Sequence, residues 1–320
     1  MDVLQHLGID LDTVEEDFKG VKIGRTLIYD ADGPCYRAAA STKSLPAAIR
    51  RFHTDLLTEM FMTQAEFATV HLTASTCDKA GRGRMLAWKP YQGQRKGKDK
   101  PPLLEPLRRA LVLQENWLPN MTTRLHFDIE ADDGMIQEAY RLKEDGVIWS
   151  DDKDLRLTIY PYYEKEFGEV HGSESPGHIR QAYTPAGQLK ILGRADKFFW
   201  CQMLMGDQAD NVQGIAKLNG KLCGLAGAFT ALQNIEGKSN LANFVLDGYR
   251  NSGQNVLPEG WCLWLLRWPG DTFWDYVWEC KPSKENAEYL MKCAKQKWRM
   301  LPGETRDFEN GKWTSEVYDE

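Results

Sequence analysis

The sequence predicts an α/β fold with a mostly parallel central sheet. Three observations carry that prediction. Short apolar runs at "TLIYDADG" (26–33), "FATVHLTAS" (67–75) and Val147–Ser150 read as strands. Helical periodicity separates the first two, and strand–helix–strand at this spacing forms a right-handed βαβ unit with parallel strands. Each of the three runs leads at once into aspartate, which suits the rim of a sheet better than its core.

In chain order, residues 1–25 read as a polar preface with a short helix. Leu27 and Ile28 lie in a buried strand that meets a turn at Asp30, Asp32 and Gly33. Residues 46–67 carry a helical stripe of Ala47, Ile49, Phe52, Leu56, Leu57, Met60 and Phe61. From Lys79 to Lys100 the character changes: eight residues are Lys or Arg and only Asp99 is acidic, a local charge of +7. Trp88 and Tyr91 interleave with these cations. Residues 103–113 read as helix, and "TRLHFDIE" (123–130) runs into the amphipathic helix "DDGMIQEAYRLKEDG". Residues 161–190 read as hairpins and loops. "DKFFWCQMLMGDQADN" (196–211) is a helix entering a loop, and 213–235 is interrupted by glycines. Residues 255–300 hold Trp261, Trp264, Trp268, Trp274, Trp278 and Trp298, with helices near 271–280 and 284–300. Spacing such as Trp261, Trp264 and Trp268 favours core packing over a stacking platform.

The totals exclude several classes. With 320 residues and 42% hydrophobic content, the chain can bury one large core or two smaller ones. A formal charge of -6 argues against a simple nucleic-acid-coating protein, but a +7 segment inside it is an asymmetry. Seven cysteines without a CxxC pair argue against a disulfide framework or zinc ribbon and fit a reducing cytoplasm. No signal-peptide pattern opens the chain, and no run of about 18 apolar residues predicts a membrane span.

Asp30, Asp78 and Asp152 follow strand-like segments, with Asp154 two residues further on. Glu130, Asp132 and Asp133 open a helix, and Asp207 and Asp210 form G-D-x-x-D-N. Each group alone has an ordinary explanation as a cap, a turn or a complement to a helix dipole. Together they are nine carboxylates from five places, and like charges that converge need a cation. Oxygen ligands select a hard divalent ion, Mg²⁺ or Mn²⁺. More than four acids point to two ions, an arrangement that clamps both the attacking and leaving oxygens of a phosphodiester. A basic loop beside such a pocket admits DNA phosphates by displacing counterions, and Trp88 and Tyr91 could stack on bases of a frayed end.

The ordered set "LIYDADG", "CDKAGRGRMLAWKPYQGQR", "IEADDG", "SDDKD" and "GDQADNVQGI" resembles the 5′ nucleases of the flap-endonuclease superfamily, most of all the bacteriophage 5′→3′ exonucleases. The resemblance covers roughly residues 26–235, and "DTFWDYVWECK" extends it. It implies a PIN/5′-nuclease-like α/β core at 26–197 with a basic arch near 79–113. It also implies a helix-hairpin-helix-like DNA-binding element at 198–250 and a helical, Trp-rich region at 251–320. The metal-holding carboxylates it implies are Asp30, Asp78, Glu130, Asp132, Asp133, Asp152, Asp154, Asp207 and Asp210, with Asp32 adjacent. Arg95 matches an arginine that holds the scissile phosphate, and Arg82 or Arg84 matches one that follows the second Asp. Lys89, Tyr91, Lys96, Lys98, Lys217 and Lys221 are the implied DNA contacts.

Three departures stand out. Gln92 replaces a lysine expected after Tyr91, so either Lys89, Lys96 or Lys98 substitutes for it or activity is lower. Ala31 replaces a glycine. Lys217 and Asn219 replace glycines of the hairpin, which weakens the case for close backbone approach to phosphate or for a K⁺ site there. The implied activity is two-metal 5′→3′ hydrolysis of DNA, with RNA primers in RNA–DNA hybrids as a further substrate, in the cytoplasm of a phage-infected cell. A flap endonuclease shares the motifs. A non-catalytic DNA-binding relative and a PIN-type ribonuclease are the rivals from other classes.

Overall fold

The computed structural model describes residues 20–95, 99–113, 117, 119–301, 303–304, 308–309 and 312–313. The helix expected in the preface lies outside the described residues. Six strands form the main sheet: β1 (Lys22–Asp30), β2 (Ala65–Thr73), β3 (Met121–His126), β4 (Gly146–Trp149), β5 (Tyr162–Glu164) and β6 (Glu169–His171). Their order is β3-β2-β1-β4-β5-β6, parallel throughout except for the β5–β6 pair. The fold is therefore mixed α/β with a mostly parallel sheet. The chain builds outward from β1 in both directions, so the strand order reverses between β1 and β4. In open sheets of this kind the crevice for a ligand lies at the carboxyl ends of those two strands.

Both faces of the sheet are covered, which is why its strands read as continuous apolar runs. Leu27 and Tyr29 face α1 (Asp32–Ser41), α2 (Leu45–Met62) and α3 (Leu104–Val112), packing with Cys35, Ala38, Phe52, Leu56 and Leu107. Ile28 and Ile148 face α4 (Ala131–Leu142) through Met135, Ile136 and Ala139. The turn expected after Asp30 is instead the start of α1. Its first residues, Asp-Gly-Pro, look like turn material, but an acid and a proline are both welcome in a first helical turn.

A second core gathers behind the hairpin β7 (Ile179–Tyr183) and β8 (Leu189–Gly193). It contains α5 (Ala195–Met205), α6 (Leu225–Leu232), α7 (Lys238–Ser252), α8 (Val256–Leu263), α9 (Phe273–Glu279) and α10 (Lys284–Lys295). Helix α5 is buried on nearly every side. Helices α7 and α8 are additions to the elements expected from sequence, and the last helix stops at Lys295 rather than near 300. The tryptophans divide. Trp264 is buried and stacks on Tyr276 at 4.0 Å, whereas Trp268 and Trp278 are exposed. Among the described residues no helix is long and apolar enough to cross a membrane.

Candidate active site

The crevice between β1 and β4 is lined by acids. Asp30 ends β1 and is 8% exposed. Ser150, just past β4, donates its hydroxyl to Asp30 Oδ2 and accepts the backbone N–H of Asp152 at 2.8 Å. Asp152 Oδ1 then caps the short turn Lys153–Leu157 by accepting from Asp154 N at 2.9 Å. "SDDKD" is thus a strand end that coils back at once and keeps its carboxylates at the rim. Asp132 enters from the first turn of α4.

Burial and neighbouring charge suppress the ionisation of Asp30 and Asp132. Burial, then the charges of Asp32 and Asp152, push Asp30 up to about 7, against the Ser150 hydrogen bond. Burial, then Asp152, Asp30, Glu130 and Asp32, hold Asp132 well above the usual carboxylate range. Among the described residues, Asp30, Asp132 and Asp152 have no ion-pair partner. Asp32 differs: Arg108 reaches its Oδ1 at 2.9 Å and Thr73 N approaches both its oxygens. Three carboxylates without an ion-pair partner, two of them raised by burial and by neighbouring charges, are the donor chemistry of a hard divalent cation. They are not drawn into a ready-made set. Among the described residues no group of three or more His, Cys, Asp or Glu is placed to hold a metal ion.

The other acids named from sequence already have cations or donors. Lys153 Nζ bridges Asp154 at 3.0 Å and Asp207, and Gln202 also donates to Asp154. Burial opposes ionisation of Asp207, but Lys153 overrides it and leaves that carboxyl low. Asp154 stays high through burial and neighbouring acids despite the same lysine. Asp133 is wholly buried and takes both amino nitrogens of Arg82 at 2.7 Å. Asp78 is half-exposed and paired with Arg84 at 2.6 and 2.9 Å.

The arginine following Asp78 was expected at the phosphate, with Arg82 and Arg84 as candidates. Arg82 is 1% exposed and also donates to Glu130 at 3.2 Å and to Trp264 O at 2.6 Å. A guanidinium sealed in this way has no face left for substrate, so its place is at odds with a phosphate contact. Arg84 lies at the surface. Arg95 closes the short turn Gly93–Arg95; its side chain, and Lys96 and Lys98, lie outside the described residues.

The basic segment is stitched to the GDQADN loop. Gln92 N donates to Asp210 O at 2.8 Å, Asn211 Nδ2 to Pro90 O at 2.9 Å, and Gln94 Nε2 to Ala209 O at 2.6 Å. The Tyr91 hydroxyl spans Glu130 Oε2 at 2.7 Å and Asp210 Oδ2 at 3.1 Å, so it is committed to acids rather than to a base. Lys89 is partly buried, and Trp88 donates its backbone N–H to Oε1 of the buried Glu259 at 2.6 Å. Trp88 also lines a cavity of about 600 Å³ with Lys217, Asn219 and Gly220. Lys217 and Lys221 are exposed on a hairpin closed by reciprocal Leu218–Lys221 hydrogen bonds of 2.8 and 3.1 Å. Asn219 and Gly220 both have positive φ, the signature of an Asn-Gly two-residue turn. Asn219 thus does what a glycine would do there.

Sequence reasoning missed Lys79, Thr73, Ser150, Lys153 and Gln202. Lys153 and Lys79 sit inside the quoted motifs, but attention to acids passed over the cation between them. Thr73, Ser150 and Gln202 carry no signal without knowing which strands are neighbours.

No family model and no curated protein matches the chain. Among solved structures, a T5 protein co-crystallised with metal ions is similar at a TM-score of 0.46 and 12% identity, over 85% of this chain and 99% of that one. The T5 5′-exonuclease with bound zinc gives 0.43 and 13%, over 85% and 99%. The catalytic core of Rad2 in complex with a DNA substrate gives 0.41 and 10%, over 91% and 78%. These are likenesses of chain path at low identity, and the chemistry rests on this chain's own residues.

Proposed function

We propose that the protein is a metal-dependent 5′ nuclease that hydrolyses phosphodiester bonds from the 5′ end of duplex DNA, with Mg²⁺ as the natural ion and Mn²⁺ as a substitute. One observation carries this reading: Asp30, Asp132 and Asp152 lie at the carboxyl ends of the parallel strands and the start of α4, close enough for their charges to act on one another and without an ion-pair partner among the described residues, in a chain whose basic segment is tied to the second acidic loop. Acids that repel one another at a ligand crevice are costly unless they serve a charge brought from outside.

Asp30, Asp132 and Asp152 would hold the first ion, and Asp154, Asp207 and Asp210 a second once Lys153 yields. Divalent ions, when bound, acidify water and neutralise phosphate charge. Ser150 and Thr73 fix the carboxylates: Ser150 joins Asp30 to Asp152, and Thr73 Oγ1 accepts from Ala131 N at 2.9 Å at the start of α4. In the reaction one water adds to phosphorus and the P–O3′ bond breaks. The leaving oxygen takes the proton, giving a 5′-phosphate and a 3′-hydroxyl. Cations of the 79–113 segment, Arg95 among them, stabilise charge on the phosphate. The 198–250 region, through Lys217 and Lys221, grips the duplex.

The test uses 5′-labelled blunt duplex and 5′-flap substrates, wild type beside Asp132→Asn. Early release of label as mono- or short oligonucleotides is expected from wild type and not from the variant. Removing one repelling acid should also raise the metal-free stability of Asp132→Asn by about 1 kcal/mol, the trade expected at a functional site. Intact substrates with both Mg²⁺ and Mn²⁺ would refute the enzyme reading, and flap cutting without duplex resection would replace exonuclease by flap endonuclease.

A further inference from the structure

We propose that Lys79 is a catalytic cation of this site, placed against the scissile phosphate, with Gln92 as the residue that positions it. The inference rests on the nuclease reading above. It begins with strained backbone. Lys79, Ala80 and Gly81 have φ of 54°, 54° and 73°, three consecutive residues in the left-handed region, two of them not glycine. Such runs persist only where surroundings enforce them, and they concentrate at functional sites. Here Ala80 N donates to Asp128 O at 2.7 Å and Trp261 Nε1 donates to Ala80 O at 3.0 Å. Gln92, the partner residue, is also left-handed, with φ of 51°.

The two strained residues meet through their side chains. Lys79 Nζ donates to Gln92 Oε1 and lies 3.3 Å from Glu130 Oε1. Gln92 Nε2 turns the other way, to Asp210 Oδ1 at 2.9 Å and Glu130 Oε1 at 3.3 Å. Gln92 is neutral, so it orients the ammonium without competing for an anion. Access separates Lys79 from Arg82, and partnership separates it from the more exposed Arg84, both of whose amino nitrogens are held by the Asp78 carboxylate. The Lys79 side chain is 35% exposed, whereas Arg82 is sealed in the interior. An ammonium has three donors. Gln92 and Glu130 occupy two, which leaves one for a phosphate oxygen arriving between the acidic rim and the basic segment.

The experiment compares wild type, Lys79→Met, Lys79→Arg and Gln92→Glu as full chains, on 5′-labelled duplex with Mg²⁺ and in DNA binding without metal. Lys79→Met should lower kcat by about 100-fold, the loss typical of one transition-state donor, with a smaller change in KM. Lys79→Arg should recover most of that loss. In metal-free binding, Lys79→Met should reduce the salt slope by about 1. Gln92→Glu, which pins the ammonium with a second charge and sets an oxygen against Asp210 and Glu130, should lose kcat. A wild-type kcat in Lys79→Met would overturn the proposal, as would an equal loss in Lys79→Arg. If Lys79→Met does not fold, undiminished kcat in Gln92→Glu overturns it. If wild type itself leaves DNA intact, the nuclease reading falls, and the metal-free salt slope alone decides whether Lys79 meets phosphate.

Discussion

Arg82→Met separates the two roles open to an arginine beside Asp78. Arg82 spends Nη1 on Asp133 Oδ2 at 2.7 Å and Glu130 Oε2 at 3.2 Å. It spends Nη2 on Asp133 Oδ1 at 2.7 Å and Trp264 O at 2.6 Å. Methionine fills the volume of the stem but leaves Asp133, wholly buried, without its counter-charge. Breaking one side of a buried ion pair costs about 3–5 kcal/mol. The orphaned Trp264 carbonyl falls within the same disruption rather than adding to it in full. In a chain this long, each kcal/mol moves the melting temperature by about 2 °C, so a drop of about 6–10 °C is expected. Urea titration should show a lower midpoint at constant slope. Arg82→Met/Asp133→Asn should recover part of the loss, because Asn keeps an acceptor for Leu266 N (now at 3.0 Å) and carries no charge. An Arg82→Met protein that melts within about 1 °C of wild type yet no longer cleaves would refute this account and return Arg82 to the phosphate.

Two further predictions concern the same end of α4. A Cβ on Gly134 would sit 2.2 Å from the His126 ring; Gly134→Ala should therefore destabilise by about 1–3 kcal/mol in chemical denaturation, and unchanged stability would mean that the ring is not held there. His126 in turn faces His71 at 3.0 Å in a parallel stack, and His71 Nε2 meets Glu138 at 2.9 Å, with Arg124 and Arg141 also at that carboxylate. Burial, then the His71 and Arg124 charges, depress His126 to about 4. The unfolded ring binds its proton more readily, so stability is full above pH 6.5 and declines as pH falls toward 4. The decline should be on the order of 1–2 kcal/mol after solvent screening at a half-buried ring. His126→Gln should flatten it, and parallel stability–pH curves for the two proteins over pH 4–6.5 would dismiss His126 as the cause.

Much of this protein was decided by local pattern. The strands β1, β2 and β4 announce themselves because both sheet faces are covered and every residue from Leu27 to Tyr29 must be apolar. The acids at their ends follow from the same logic, since a carboxylate past a buried strand marks the rim. Helix α1 hid behind Asp-Gly-Pro because turns and first helical turns favour the same residues. Helix α7 keeps a helical period in Leu241, Ala242, Val245, Leu246 and Tyr249 that went unread, whereas α8 was hidden by its eight-residue length and by Pro258 and Gly260 inside it.

What the sequence alone could not decide was the partner of each charge. Nine carboxylates look equivalent in one dimension. Folding ties Asp133 to Arg82, Asp78 to Arg84, and Asp154 with Asp207 to Lys153, leaving Asp30, Asp132 and Asp152 without an ion-pair partner among the described residues. It likewise makes Gln92, which read as a lost lysine, the carboxamide against which Lys79 rests. The reason is physical: hydrophobic burial is roughly a property of each residue and its period along the chain. Electrostatic roles are properties of pairs, and those pairs span up to 182 positions here, as from Arg82 to Trp264.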